Sequence, residues 1–150
     1  MNNMWWKNIA TLGFVGNLPM PGTLASFITL LFVVLLQNFC FLFYAIVLVA
    51  VFFLGLYAIQ KTLHSFMIAD PPQIVIDEVI GCMITFCAIS LNYKSLIIGF
   101  CLFRFFDISK RCGVQLFERV GGAWGIMLDD VWAGVLSNLI LHALNYSNWV

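Results

Sequence analysis

From Phe39 to Ile59 the chain carries no charged residue and is almost wholly apolar. About 20 such residues, at about 1.5 Å each, cross a hydrocarbon layer roughly 30 Å thick. Within such a layer a segment must satisfy its own backbone N–H and C=O groups, so this run is constrained to be a transmembrane helix. The rest of the chain has to be compatible with that setting. Its 63% apolar and 9% charged composition departs widely from soluble domains, where about a quarter of residues are charged. With 150 residues, a single membrane-embedded domain over 1–150 is expected, with no room for a second. A formal net charge of zero gives no nucleic-acid footprint. Met1 to Trp6 lacks the basic region, apolar stretch and small-residue cleavage site of a signal peptide, so the mature chain is expected to begin near Met1.

Other apolar runs flank the long one. Leu24 to Leu36 follows Pro19, Pro21 and Gly22 and is separated from the long span only by Gln37 and Asn38, so the two are antiparallel. Val79 to Leu91 and Leu96 to Phe103 surround the polar break Asn92-Tyr93-Lys94-Ser95 and read as a second helical hairpin. Val131 to Leu144 is a fifth apolar segment. The last three are too short to span unless charged neighbours continue the same helices. Their extended ranges are about Ile74 to Leu91, Ser95 to Arg111 and Gly125 to Asn145. The expected fold is therefore all-α, a polytopic membrane helical bundle of about five helices, some of them short or interfacial.

This threading sorts the charges by side. Of the seven Lys and Arg, Lys94 lies on the far side, with Gln37, Asn38 and the uncharged tail from Asn145; Lys7, Lys61, Arg104, Lys110, Arg111 and Arg119 lie on the near side. All seven Asp and Glu are near as well. An excess of Lys and Arg marks cytoplasmic loops, so the near side is expected to face the cytoplasm.

Three constellations stand on that face. Asp77-Glu78 is followed by Gly81, one helical turn on, which would let another helix approach closely. Arg104, Asp107 and Arg111 fall at helical spacing on one face, with Lys110 beside them. Asp129-Asp130 precedes Ala133-Gly134, again acids followed by small residues. Carboxylates from neighbouring helices suit a hard cation such as Mg²⁺, while guanidinium and ammonium suit phosphate. Structural ion pairs at helix ends are the alternative reading, and convergence of all three clusters on one face argues against it.

Several phosphatase chemistries are excluded by inspection. Cys112 and Arg119 have the wrong separation for a cysteine-nucleophile phosphate loop, and no Asp-x-Asp pair supplies an aspartyl nucleophile. His64 and His142 fall at opposite ends of the expected fold and read as ordinary helix histidines. Cys40, Cys82, Cys87, Cys101 and Cys112 have no zinc or disulfide spacing and read as reduced core residues. Hydrolysis by a metal-activated water is the simplest chemistry left.

Four ordered motifs carry a family resemblance. Pro21-Gly22-Thr23, Asp77-Glu78-x-x-Gly81, Phe103-Arg104-x-Phe106-Asp107-x-x-Lys110 and Trp124-Gly125-Ile126-Met127-x-Asp129-Asp130-x-x-Ala133-Gly134 resemble those of the phosphatidylglycerophosphatase A family. The resemblance covers nearly the whole chain. It implies a Mg²⁺-dependent membrane lipid phosphatase that converts phosphatidylglycerophosphate to phosphatidylglycerol and inorganic phosphate at the inner membrane. On that basis Asp77, Glu78, Asp129 and Asp130 are expected to hold Mg²⁺, directly or through water, and one carboxylate to take the water's proton. Arg104 and Lys110 would clamp phosphate oxygens, and Asp107 would orient Arg104 or join the metal shell. Thr23 would bind phosphate at a helix start or merely begin the first helix. Trp124 and Trp132 are expected to be interfacial anchors. Three departures stand out: Arg111 where the family often has proline, Ala25 for a glycine, and Ala123 for another glycine in the loop before the last helix. Arg111 either adds charge to the phosphate site or occupies a helix end.

Two other functions compete. A small ion channel or transporter would need polar residues through the bilayer midplane, whereas the charges here gather on one face. A non-catalytic membrane interaction protein would use the same charges only at helix ends.

Overall fold

The computed structural model describes residues 3–66, 68, 70–118 and 120–147, so Arg119 and the ends of both termini lie outside the described residues. These residues are helical throughout, with no strand among them. The helices are α1 (Asn3–Ala10), α2 (Pro21–Leu36), α3 (Phe41–Thr62), α4 (Ile76–Thr85), α5 (Tyr93–Ser109), α6 (Val114–Glu118) and α7 (Gly122–Tyr146). The all-α expectation holds, with the short α1 and α6 added to the five expected helices.

Helix α3 covers most of the long apolar run. Among the described residues, the segment Phe41–Ser65 and α7 are the two long enough and apolar enough to cross a membrane. At 16 and 17 residues, α2 and α5 reach about 24 and 26 Å. The outer surface carries large apolar side chains: Leu31 is 62% exposed, Phe53 59%, Ile97 63% and Leu139 60%. The interior, by contrast, contains hydroxyls. Thr29, Thr85 and Ser137 are buried and donate to the carbonyls of Ala25, Gly81 and Ala133, each four residues back in its own helix. That arrangement suits lipid outside and backbone polarity satisfied within.

The largest correction concerns the fourth helix. The expected helix from Ile74 to Leu91 is only ten residues long, about 15 Å, and it is buried along most of its length. Its C-terminal turn gives way at Phe86, and Ala88 adopts a left-handed φ of 57°. Five carbonyls at this break are met by side chains. Asn138 Nδ2 of α7 donates to Thr85 O (3.0 Å) and Cys87 O (2.9 Å), Gln37 Nε2 to Phe86 O (3.2 Å) and Ile89 O (2.9 Å), and the Tyr44 hydroxyl to Met83 O (2.6 Å). Buried non-helical backbone is tolerated only where protein satisfies it. The chain then enters α5 through a reciprocal cap, in which Asn92 Oδ1 accepts from Lys94 N and Ser95 N while Ser95 Oγ accepts from Asn92 N. What reads as a hairpin of two spans is a buried half-helix leading into one long helix.

The packing of α4 on α7 positions everything that follows. Both run away from the acidic end, and they meet at Gly81 and Gly134. A Cβ on Gly134 would collide with the Gly81 carbonyl, and one on Gly81 would meet Asp130 O at 2.7 Å and the Phe103 ring. The close approach foreseen at Gly81 is present, and Gly134 makes it reciprocal.

The cysteine expectation is corrected in part. All five are free, but only Cys82 is buried; Cys40, Cys101 and Cys112 are exposed. An outward apolar surface accommodates a thiol as readily as a core does.

Candidate active site

The crossing of α4 and α7 brings one acid of each helix together. Asp77 is one turn before Gly81 and Asp130 one turn before Gly134, so closing the glycine contact closes the distance between the carboxylates. Ligand oxygens of Asp77, Glu78 and Asp130 all lie within 4.8 Å of one another. Asp77 and Asp130 are 8% and 3% exposed. The start of α4 is fixed from the other side by α1: Val75 N donates to Ala10 O at 2.9 Å, and Gly16 leaves room for the Gln73 carbonyl.

Helix α2 closes the cluster at its N-terminus. Met20 takes a left-handed φ of 54°, Pro21 occupies the first helical position, and Gly22 allows the Glu78 carboxylate to lie against the helix start. Any side chain at Gly22 would displace Glu78 and stand 3.3 Å from Arg104 Nη1. Thr23 and Arg104 line the same cavity, of about 290 Å³, with Gly22, Glu78 and Pro72.

Helix α5 supplies the cations. Arg104 Nη1 lies 2.5 Å from Asp107 Oδ2, an ion-pair contact without hydrogen-bond alignment, and Arg104 Nε and Nη1 have no hydrogen-bond partner among the described residues. Lys110 bonds Asp129 Oδ2, while Asp129 Oδ1 accepts from Asp130 N at 2.9 Å. Burial alone would lower the Lys110 pKa, but the Asp129 hydrogen bond and the nearby Asp129, Asp130 and Asp107 charges outweigh it, so the ammonium is held above the usual lysine range.

Three buried oxygens decide what the cluster is fit to bind. Asp77 Oδ1, Glu78 Oε2 and Asp130 Oδ2 have no hydrogen-bond partner among the described residues. Buried acceptors normally find a donor, and three orphaned ones from three neighbouring carboxylates are costly together. An all-oxygen set of this kind fits a hard divalent cation such as Mg²⁺.

The expected site residues thus divide. Asp77, Glu78 and Asp130 converge; Asp129 is engaged with Lys110 and with the backbone beside it. Arg104 and Asp107 pair, and Thr23 stands at the helix start facing Arg104. Arg111 departs from the expected helix face, because α5 ends at Ser109 and Lys110 turns left-handed at φ 51°, leaving Arg111 exposed beyond the helix. Trp132 is a tie rather than a free anchor: its Nε1 donates to Cys112 O at 2.9 Å, holding the segment after α5 against α7. Trp124, 44% exposed, remains at the outer surface near Phe52. Gly22, Gln37 and Asn138 were not singled out for these positions. Gly22 was visible within its motif, whereas a lone amide in an apolar run carries no signal of the carbonyl it serves.

Fold and site together define a helical protein with a buried carboxylate cluster beside an arginine, open to an apolar exterior. A sequence profile of the phosphatidylglycerophosphatase A family matches residues 8–145. Phosphatidylglycerophosphatase A of Haemophilus influenzae is 36% identical over 144 residues, covering 93% of this chain and 88% of its own length. The Escherichia coli K12 protein of the same name is 33% identical over 150 residues, covering 97% of this chain and 86% of its own. A Bacteroides thetaiotaomicron protein with a provisional phosphatidylinositol-3-phosphatase name is 40% identical over 138 residues, covering 87% and 84%. No solved structure matches. The chain belongs to the phosphatidylglycerophosphatase A family, and is accordingly a phosphatase.

Proposed function

We propose that the protein hydrolyses phosphatidylglycerophosphate to phosphatidylglycerol and inorganic phosphate, in a Mg²⁺-dependent reaction at the cytoplasmic face of a bacterial-type inner membrane that it crosses several times. The observation that carries this reading is the juxtaposition of three carboxylate oxygens without a hydrogen-bond partner among the described residues with the Arg104 guanidinium, whose Nε is likewise without one. A cation and a phosphate placed together would satisfy both.

Asp77, Glu78 and Asp130 would hold the metal, with Asp129 contributing through water or through its hold on Lys110. Mg²⁺, when bound, supplies neutralisation of phosphate charge and acidification of a water molecule. The chain's own groups do the rest. Arg104, braced by Asp107, presents its planar fork to phosphate oxygens, and Lys110, kept protonated by Asp129, adds a positive charge at the rim. First-turn N–H groups of a helix lack intrahelical acceptors, so the start of α2 at Gly22 and Thr23 favours an anion in the same cavity. Water adds to phosphorus as a carboxylate of the cluster accepts its proton, the ester P–O bond breaks, and that proton passes to the departing alkoxide, releasing phosphatidylglycerol and inorganic phosphate.

An ion path is a poorer fit. Beyond the acidic end the buried hydroxyls of Thr29, Thr85 and Ser137 are spent on their own helices. Orientation rests on the near-side excess of Lys and Arg. Purified protein should release phosphate from phosphatidylglycerophosphate faster than from phosphatidylinositol-3-phosphate or phosphatidic acid. Equal rates across that panel would remove the headgroup assignment, and no release from any would remove the enzyme assignment.

A further inference from the structure

The phosphate cavity does not end at Arg104. A second, apolar groove of about 400 Å³ runs along the outer face of α5, lined by Phe100, Cys101, Arg104, Phe105, Ile108 and Ser109. Arg104 and Ile108 line both spaces, so cavity and groove adjoin at the residue proposed to hold the phosphate. Its walls are two neighbouring rows of α5, Phe100-Arg104-Ile108 and Cys101-Phe105-Ser109, each with its residues about one helical turn apart. Phe105 and Ile108 are 53% and 68% exposed, which leaves the groove open to the surrounding lipid. At its polar end Ser109 Oγ is buried with no hydrogen-bond partner among the described residues.

We propose that this groove holds an acyl chain of the lipid substrate. The inference rests on the lipid phosphatase reading. A lipid phosphate has its charged group and its chains joined within a few ångströms, and the groove begins where the phosphate cavity ends. From Arg104 the lining runs back along α5 to Phe100 and Cys101, so an apolar channel leads away from the charge as hydrocarbon leads away from phosphate in such a molecule. Other apolar surfaces here, such as that of Ala45, Val49 and Phe53 on α3, lack any connection to the charged cavity.

The test compares long-chain phosphatidylglycerophosphate with its dibutanoyl analogue, which keeps the headgroup and loses most of the hydrocarbon. Cys101→Trp fills the groove and Phe105→Ala removes a wall; Ile97→Trp places the same bulk on the exposed face of α5 outside it. The long-chain to short-chain ratio of kcat/KM should fall about tenfold for Cys101→Trp and Phe105→Ala, as when a couple of methylenes lose apolar contact. It should stay at the wild-type value for Ile97→Trp. Measuring the ratio within each preparation cancels the fraction misfolded. A ratio unchanged in both groove variants, with wild type active on both substrates, overturns the acyl groove and leaves the phosphatase reading standing. Wild type inactive on both overturns the reading beneath it.

Discussion

The two ends of the α4 and α7 pair are built on one register and treated in opposite ways. At one end Asp77 lies near Asp130, in the middle Gly81 touches Gly134, and at the other end Asn138 meets the carbonyl of Thr85. Around Asn138 five carbonyls of the helix break accept from side chains, those of Asn138, Gln37 and Tyr44. Around Asp130 one oxygen from each of three carboxylates and two nitrogens of Arg104 are buried without a hydrogen bond among the described residues. A structural polar cluster satisfies itself; one that does not is arranged for something to come. The same close helix contact serves both, as a hinge point between a finished joint and an open site.

Substitutions at the open end should cost activity, and those at the closed end stability. Asp77→Asn or Asp130→Asn should lower kcat by about 100-fold or more while leaving the unfolding temperature near wild type without metal, and should abolish any rise in that temperature on adding Mg²⁺. Asp129→Asn should cost less than Asp130→Asn, since its carboxylate is already paired with Lys110. A larger loss at Asp129 would reverse the division of labour between the two. Arg104→Lys keeps the charge but loses the fork, and kcat/KM should drop about tenfold, one good charge-assisted hydrogen bond's worth.

Gly134→Ala tests the hinge between the ends. Its new methyl meets backbone of Gly81, which cannot swing aside, so about 1–3 kcal/mol of stability should be lost along with activity. Asn138→Leu is the smallest perturbation: it orphans the carbonyls of Thr85 and Cys87 and should cost about 1–3 kcal/mol in unfolding measurements, with kcat of the folded fraction preserved. Loss of turnover there with stability intact would mean that the two ends are not separable.

The sequence made the open end far more legible than the closed one. Charges are rare in so apolar a chain, so Asp77, Glu78, Arg104 and Asp130 stood out, and Gly81 and Gly134 marked where helices could touch. The helix break after Thr85 left no such trace. Val79 to Leu91 contains no proline or late glycine, and the left-handed residue is Ala88; the break exists because Asn138 and Gln37, remote in sequence, pay for its carbonyls. Adjacent acids were also indistinguishable. Asp129 and Asp130 point about 100° apart on one helix, and only the position of α4 and of Lys110 determines which joins the cluster. Arg111 was misplaced for a related reason, since a left-handed Lys110 ends α5 without the glycine that usually announces such a turn.

The proposed hydrolysis requires the orphaned carboxylates to take up a divalent cation. Phosphate release from phosphatidylglycerophosphate can be followed while Mg²⁺ is titrated into chelator-treated protein, wild type beside Asp130→Asn. No release is expected without the metal, with saturable recovery in wild type and none in the variant at any concentration that saturates wild type. Full activity in excess chelator, or equal recovery in the variant, would rule out the carboxylate cluster as the metal site.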